Sequence, residues 1–390
     1  WWTNVIIHWI WKRIGGKMKN LIGGKLVDAS NGEKADVINP ATNELIDTVP
    51  LATEEDVDLC VKEAAKAQKS WAKMPLHKRG EILYKFADLV EANHEELAQL
   101  LSKETGKPIK EARAEISNTK HFIHGYVEKA KHDYGNVIPA GSEVGQEKTM
   151  QITVQQPLGV VACIIPFNFP CDLFGQKVPS ALIMGNSVIV KPSTDNPLTL
   201  HRYCELLKDA GVPDGVINCI SGRGSVTGNA LAKHPQVALI SVTGSTEVGA
   251  EVMANAAANI THVMLELGGN DAFIVMDDAD MELTMKELVW GRLYNTGQVC
   301  CASKRFLVQK GIKDEFIKKA VETLQSLKVA MPQQEDADIG CLINEKAAIN
   351  AEEQVRKTLD QGATLVYGGR RNGAFFEPTI LDNVTKDMEV

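Results

Sequence analysis

Val160-Val161-Ala162-Cys163-Ile164-Ile165, closed by Pro166-Phe167-Asn168-Phe169-Pro170, is the stretch from which the fold is read. Six apolar residues without alternation describe a strand buried on both faces, and two prolines around a polar Asn describe a fixed loop after it. Similar short apolar runs recur at 187–190, 216–220, 237–242, 263–267 and 272–275, with helical stretches between them. Strands alternating with helices predict an α/β protein built on a parallel sheet. Ligands of such sheets bind beyond the carboxyl ends of the strands, so the residues after each run are the ones to read.

Outward from this core, the whole-chain numbers are compatible with a soluble cytosolic enzyme. Its 390 residues suffice for two or more domains, and 44% hydrophobic with 24% charged residues excludes disordered and membrane classes. A net charge of −8 argues against nucleic-acid binding. The eight cysteines are scattered, without a CxxC pair or a zinc-like His spacing, which indicates a reducing, cytoplasmic setting and no structural metal. Adjacent Cys300 and Cys301 are poorly placed for a disulfide. Residues 1–17 begin with Trp, hold Trp1, Trp2, Trp9 and Trp11, and place Lys12 and Arg13 after the apolar part, the reverse of a secretory signal. They are expected to be a non-native leader, with Met18 the start; a surface-anchoring amphipathic segment is the alternative.

The region before the sheet predicts a strand and turn over 21–27, strand and turn over 34–50, and helices beginning at Thr53, near Lys78, over 91–103 and over 109–131. Thr53 with Asp56 three residues on is a helix-start signature. The charged runs on these helices read as solvated faces. Residues 134–150 are polar and Gly-rich, and Gln151-Ile152-Thr153-Val154 alternates like a strand.

Each strand end carries a candidate. Asn168 is an oxyanion donor or a turn-forming Asn. Lys191, followed by Pro192-Ser193-Thr194, holds a sugar hydroxyl or phosphate, or snorkels. Gly222-Arg223-Gly224 with Gly228 misses the dinucleotide spacing by one and lacks the acidic partner, so the pyrophosphate is not placed there. Gly244-Ser245 opens a helix and offers N–H groups to a phosphate, or Ser245 is an ordinary N-cap. Glu266, between Leu265 and Leu267, reads as a general base with a raised pKa, or as a Glu paired with a lysine. Last, Gly297-Gln298-Val299-Cys300 is a small, flexible approach delivering a cysteine, either a nucleophile or a buried structural thiol.

Taken together, in this order and at these separations, the stretches resemble the aldehyde dehydrogenase superfamily from about Gly23 onward, nearest to members acting on succinate semialdehyde or lactaldehyde. The resemblance implies a Rossmann-type cofactor domain over 18–133 and 153–265, a small β-arm for oligomerisation over 134–152, and a catalytic domain over 266–390 that stops early. It implies oxidation of an aldehyde to an acid with NAD or NADP by a homodimer or homotetramer. Cys300 would form a thiohemiacetal and then a thioester, Asn168 would hold the oxyanion, Glu266 would activate the hydrolytic water, and Lys177 would stand near the reaction centre. Ile165, Pro166, Phe167, Lys191, Ser193, Thr194, Gly244, Ser245 and Leu267 would line the cofactor. Thr194 stands where NAD-preferring members carry Glu, so NADP is expected to be accepted. Gln176 stands where members taking carboxylate-bearing aldehydes carry Arg, which leaves the aldehyde open. A coenzyme A-acylating enzyme, or a silent binding protein of the same fold, are the alternatives.

Overall fold

A computed structural model describes residues 17–390; the leader expected over 1–17 lies, but for Lys17, outside the described residues. The hairpin of β1 (Asn20–Ile22) and β2 (Lys25–Val27) is followed by the antiparallel pair β3 (Lys34–Ile38) and β4 (Leu45–Pro50). Then come α1 (Glu54–Lys73), α2 (Leu76–Ala92), α3 (His94–Thr105) and α4 (Ile109–Lys131). Thr53 starts α1: its hydroxyl accepts from the Asp56 N–H at 3.2 Å, and the Asp56 carboxylate accepts from the Thr53 N–H at 2.9 Å. This reciprocal cap satisfies two donors that a helix start leaves unpaired. Beyond α4, β5 (Val137–Ile138) and β6 (Gln151–Ile152) form an exposed antiparallel pair, shorter than the strand read over 151–154.

The α/β core follows: β7 (Val160–Ile164), α5 (Pro170–Ile183), β8 (Ser187–Lys191), α6 (Leu198–Ala210), β9 (Ile217–Cys219), α7 (Asn229–Lys233), β10 (Val237–Thr243), α8 (Thr246–Ala256) and β11 (His262–Glu266). One seven-stranded sheet has the order β11-β10-β7-β8-β9-β1-β2. Strands β7 to β11 run parallel, and β1 adds antiparallel to β9. The apolar runs are uninterrupted because alternate residues enter two cores. Val161, Cys163, Val188 and Val190 pack with Trp71, Phe86 and Phe174 on one face. Val160, Ala162, Ile189 and Val242 pack with Val57, Val61 and Val252 on the other. Each of the valine, isoleucine and phenylalanine side chains among them contributes about 1.5–3 kcal/mol when removed from water. The chain moves outward from β7 through β8 to β9, then crosses back to β10 and β11, so strand order reverses between β7 and β10. That reversal opens a crevice at the carboxyl ends.

Two strands depart from the reading. β11 is the sheet edge and alternates exposed and half-buried residues rather than being covered on both faces. The run at 272–275 is not in this sheet: the chain turns away at the exposed Gly268-Gly269-Asn270. There β12 (Asp271–Val275) pairs in parallel with β13 (Ser303–Val308). α9 (Met281–Leu288) and α10 (Lys313–Ser326) cover that pair through Met285, Leu288, Phe316 and Leu324. The chain ends with α11 (Glu345–Asp360) and the antiparallel pairs of β14 (Thr364–Tyr367) with β17 (Ile380–Asp382) and β15 (Arg371–Asn372) with β16 (Phe375–Phe376). Among the described residues no helix is long and apolar enough to cross a membrane.

The charged helix runs are not all solvated. Glu104, Glu111 and Glu115 are buried. Glu104 caps α6 from a distance, because the cap residue Pro197 makes no side-chain cap bond. Its carboxylate accepts from the Leu198 N–H at 2.8 Å and the Thr199 N–H at 2.9 Å, and from the Thr199 hydroxyl. Glu104→Ala strands two buried backbone N–H groups and a hydroxyl at a helix start and is expected to lower unfolding free energy by about 3 kcal/mol in a urea titration. A loss within error of zero contradicts this account of the α6 start.

Candidate active site

The carboxyl ends of four adjacent strands bring together most of the residues singled out from the sequence. Ile165 to Asn168 follow β7, Lys191 to Thr194 close β8, Gly244 and Ser245 follow β10, and Glu266 and Leu267 close β11. They are joined by backbone bonds: the Ile165 N–H donates to Lys191 O at 3.0 Å, and the Gly244 N–H to Glu266 O at 3.0 Å. Gly244 therefore spends its N–H inside the fold. Ser245 is the N-cap of α8, its hydroxyl accepting from the Val248 N–H at 3.3 Å. Ser193 accepts from the Asp195 N–H, and the Thr194 hydroxyl donates to Gly222 O, each at 3.3 Å. Leu267 packs where a side chain on Gly249 would strike it, holding the Glu266 segment against α8.

Lys191 is buried, and its ammonium donates to Pro192 O at 3.0 Å. Burial pushes it down to about 8. An ammonium carries three N–H groups. The buried Thr243 hydroxyl beside the α8 start has no hydrogen-bond partner. A buried cation and an orphaned hydroxyl at the crevice are the donors a dinucleotide's ribose and phosphates need, so these residues fit such a ligand.

Asn168 is not capping its own turn, which requires its Oδ1 to accept: that atom is buried without a partner. Lys177 is half-buried and donates to Ser241 Oγ at 2.8 Å. Burial lowers its pKa, opposed by Cys163 and Glu266. Glu266 itself is exposed. Its leucine neighbours do not enclose it, because successive strand residues point to opposite faces. The reading of a carboxylate desolvated by its flanks is therefore corrected.

Cys300 and Cys301 are exposed, whereas the other six cysteines are buried. The Cys300 thiol is held above its ordinary range by partial burial and by the adjacent Cys301. Its approach is pinned rather than flexible. Asn295, Thr296 and Gly297 take left-handed φ values of 50°, 55° and 77°. For β-branched Thr296 this stores strain of about 1–2 kcal/mol. Gln298 ties the turn down: its Nε2 donates to Asn295 O at 3.1 Å, and its Oε1 accepts from the Ile343 N–H at 3.0 Å.

Residues absent from the sequence reading link these segments. Lys304 Nζ donates to Gly269 O at 2.6 Å and Cys300 O at 3.1 Å, joining the Glu266 stretch to the cysteine turn. Asn295 Nδ2 donates to Asn168 O at 2.9 Å. The Asn295 N–H donates to Glu111 Oε2 at 2.8 Å, and burial pushes Glu111 up to about 7. Lys107 pairs with Glu115 and donates to Asn168 O at 2.8 Å. Glu115 also accepts from the Cys171 N–H at 2.8 Å.

Iodoacetamide applied to the folded chain is expected to modify Cys300 and Cys301 before any other thiol, with the Cys300 rate levelling off at a higher pH than an ordinary thiol's, since partial burial holds its pKa up. Peptide mass mapping checks this; equal labelling of Cys163 or Cys341 contradicts it.

Comparison with known proteins agrees with this geometry. The family model described as "Aldehyde dehydrogenase family" matches residues 26–390. A D-glyceraldehyde dehydrogenase (NADP(+)) of Picrophilus torridus is 38% identical over 378 residues, covering 95% of this chain and 76% of the relative. A succinate-semialdehyde dehydrogenase of Escherichia coli (strain K12), named for NADP(+), is 36% identical, covering 96% and 77%. The solved structure of a 3,6-anhydro-L-galactose dehydrogenase in complex with NAP superposes with a TM-score of 0.92 at 36% identity, covering 95% and 79%. With a parallel sheet open at its strand reversal and an exposed cysteine bound to that opening through Asn295 and Lys304, the chain belongs to the aldehyde dehydrogenase family.

Proposed function

We propose that this NAD(P)-dependent aldehyde dehydrogenase uses Cys300 as nucleophile, Asn168 as oxyanion donor and Glu266 as general base. The observation that carries the reading is that these three residues stand on segments hydrogen-bonded to one another through Asn295 and Lys304. Cys300 Sγ attacks the aldehyde carbon as a thiolate, and the oxygen becomes an oxyanion. The Asn168 carboxamide and the Cys300 N–H receive that charge, which is where fixed dipoles act most strongly. A nicotinamide cofactor bound in the crevice would supply the hydride acceptor for the oxidation. Glu266 then takes a proton from the water that hydrolyses the Cys300 thioester. Exposure of Glu266 suits this role, since it must meet water and pass the proton on. It also favours hydrolysis over transfer to coenzyme A. Lys177 stands near enough for the Glu266 carboxylate to oppose the lowering of the Lys177 pKa by burial.

Residues 18–133 and 153–265 hold the cofactor in this reading, and 266–390 supply the nucleophile. Lys191 and Ser193 hold the adenosine ribose, and Ser245 and the α8 N-terminus the pyrophosphate; Ile165, Pro166, Phe167 and Leu267 wall the crevice. Thr194, being uncharged, does not repel a 2′-phosphate, so NADP is accepted. Gln176 carries no charge with which to anchor a carboxylate at the far end of the aldehyde. The exposed β5–β6 pair, with Val137, Met150 and Ile152 in water, serves as an arm onto a second copy of the chain.

The test is reduced-nicotinamide formation with NAD and NADP over a panel of aldehydes. The unaltered chain is expected to turn over, and Cys300→Ala to lose about 10³-fold or more in kcat. An active Cys300→Ala sinks the reading. Lys191 adds a pH signature: its ammonium is charged below about 8 and neutral above. NADP affinity is therefore expected to be full below that pH and to weaken as pH rises through it. In Lys191→Met, fluorescence titration is expected to show weaker binding without this slope; a persistent slope excludes Lys191 as its source.

A further inference from the structure

The loop carrying Asn168 is held by its carbonyl, which leaves the carboxamide to the reaction. Two donors share that oxygen, Lys107 Nζ at 2.8 Å and Asn295 Nδ2 at 2.9 Å. The next residue, Phe169, lies between Lys107 and Tyr294, the residue before Asn295. Lys107 Nζ stands 4.0 Å from its ring centroid, and the Tyr294 ring stacks at 5.8 Å with an interplanar angle of 2°. Lys107 is fixed by its buried pairing with Glu115 of α4. Asn295 is fixed by its N–H on Glu111, one helical turn earlier on α4, and by the Gln298 side chain on its carbonyl. Asn295 also begins the left-handed turn that leads to Cys300. Its carboxamide is thus the bond between the segment bearing the oxyanion donor and the segment bearing the thiol.

We propose that Asn295 is a positioning residue, which sets the distance between the Asn168 carboxamide and the Cys300 thiol by donating to Asn168 O, with Lys107 as the second pin. Asn295 is buried, and its N–H and carboxamide donors are spent within the protein, on Glu111 and on Asn168 O. The inference rests on the roles given above to Asn168 and Cys300. A misplacement of about 1 Å between reacting groups costs about 10²-fold in rate. The cofactor segments 191–194 and 244–245 are not bonded to Asn295, so its loss bears on the chemical step more than on cofactor binding.

Two variants separate the donor from the turn. Asn295→Asp keeps the size and the left-handed preference but puts an acceptor in place of the donor. Asn295→Gly keeps the turn and the backbone bond to Glu111 and removes the carboxamide. Both are expected to lower kcat about 10²-fold with the KM for NADP changed by less than about twofold. Asn295→Asp with the kcat of the unaltered chain overturns the proposal. Loss of kcat and NADP binding together in both variants also overturns it, since that marks a merely structural role. Asn168→Ala, measured alongside, tests the parent reading separately: if it keeps full kcat, the oxyanion assignment fails whatever Asn295 does.

Discussion

A buried ion pair at the head of α4 is the constraint on which the site depends. Lys107 and Glu115 are withdrawn from water, and Glu111 is buried one turn away on the same helix face. Burying such charges costs several kcal/mol each unless every lone pair and proton finds a partner. The partners here are backbone groups of the loops around the reaction centre: the Asn168 carbonyl, the Cys171 N–H and the Asn295 N–H. Satisfying the charges and bringing the loops together are therefore one event. A neutral, well-packed α4 would serve stability as well, but it would not dictate where the loops go.

The two parts of the molecule then divide the work by geometry. The parallel sheet ends in a crevice because its strand order reverses between β7 and β10, and short backbone bonds lock neighbouring strand ends to each other. The smaller sheet of β12 and β13 delivers the cysteine turn from the other side. Lys304 and Asn295 close the gap between them, one toward Glu266 and one toward Asn168. The left-handed turn at 295–297 persists although Thr296 disfavours it, because Gln298 and Glu111 hold both of its ends.

Much of this was legible in the residues. The double burial of β7, β8 and β10 follows from their unbroken apolar runs, and the Thr53–Asp56 cap from its spacing. The candidate residues after each strand do lie at one end of one sheet. What escaped has a physical pattern. Charge was read as surface, yet Glu111 and Glu115 fall on the same stripe of α4 as Ala112, Ile116 and Ile123; a helical wheel with charge on the apolar face was the available signal. Glu266 was read as buried from its neighbours, although strand alternation sends those neighbours to the other face. The departure of 271–275 into a second sheet had its signal in Gly268-Gly269, which ends the edge strand. Lys304 had none, since its bonds run to carbonyls brought near only by the fold.

The central claim is that a covalent acyl group forms on Cys300 and leaves through water activated by Glu266. It is tested most directly by intact-mass and peptide-mass analysis of Glu266→Gln after exposure to an aldehyde with NADP. The account predicts a stable mass increase equal to the acyl group, located on Cys300 and not on Cys301, with the unaltered chain showing little of it. An adduct on Cys301, or its absence while reduced cofactor is still formed by Glu266→Gln at the full rate, would contradict it.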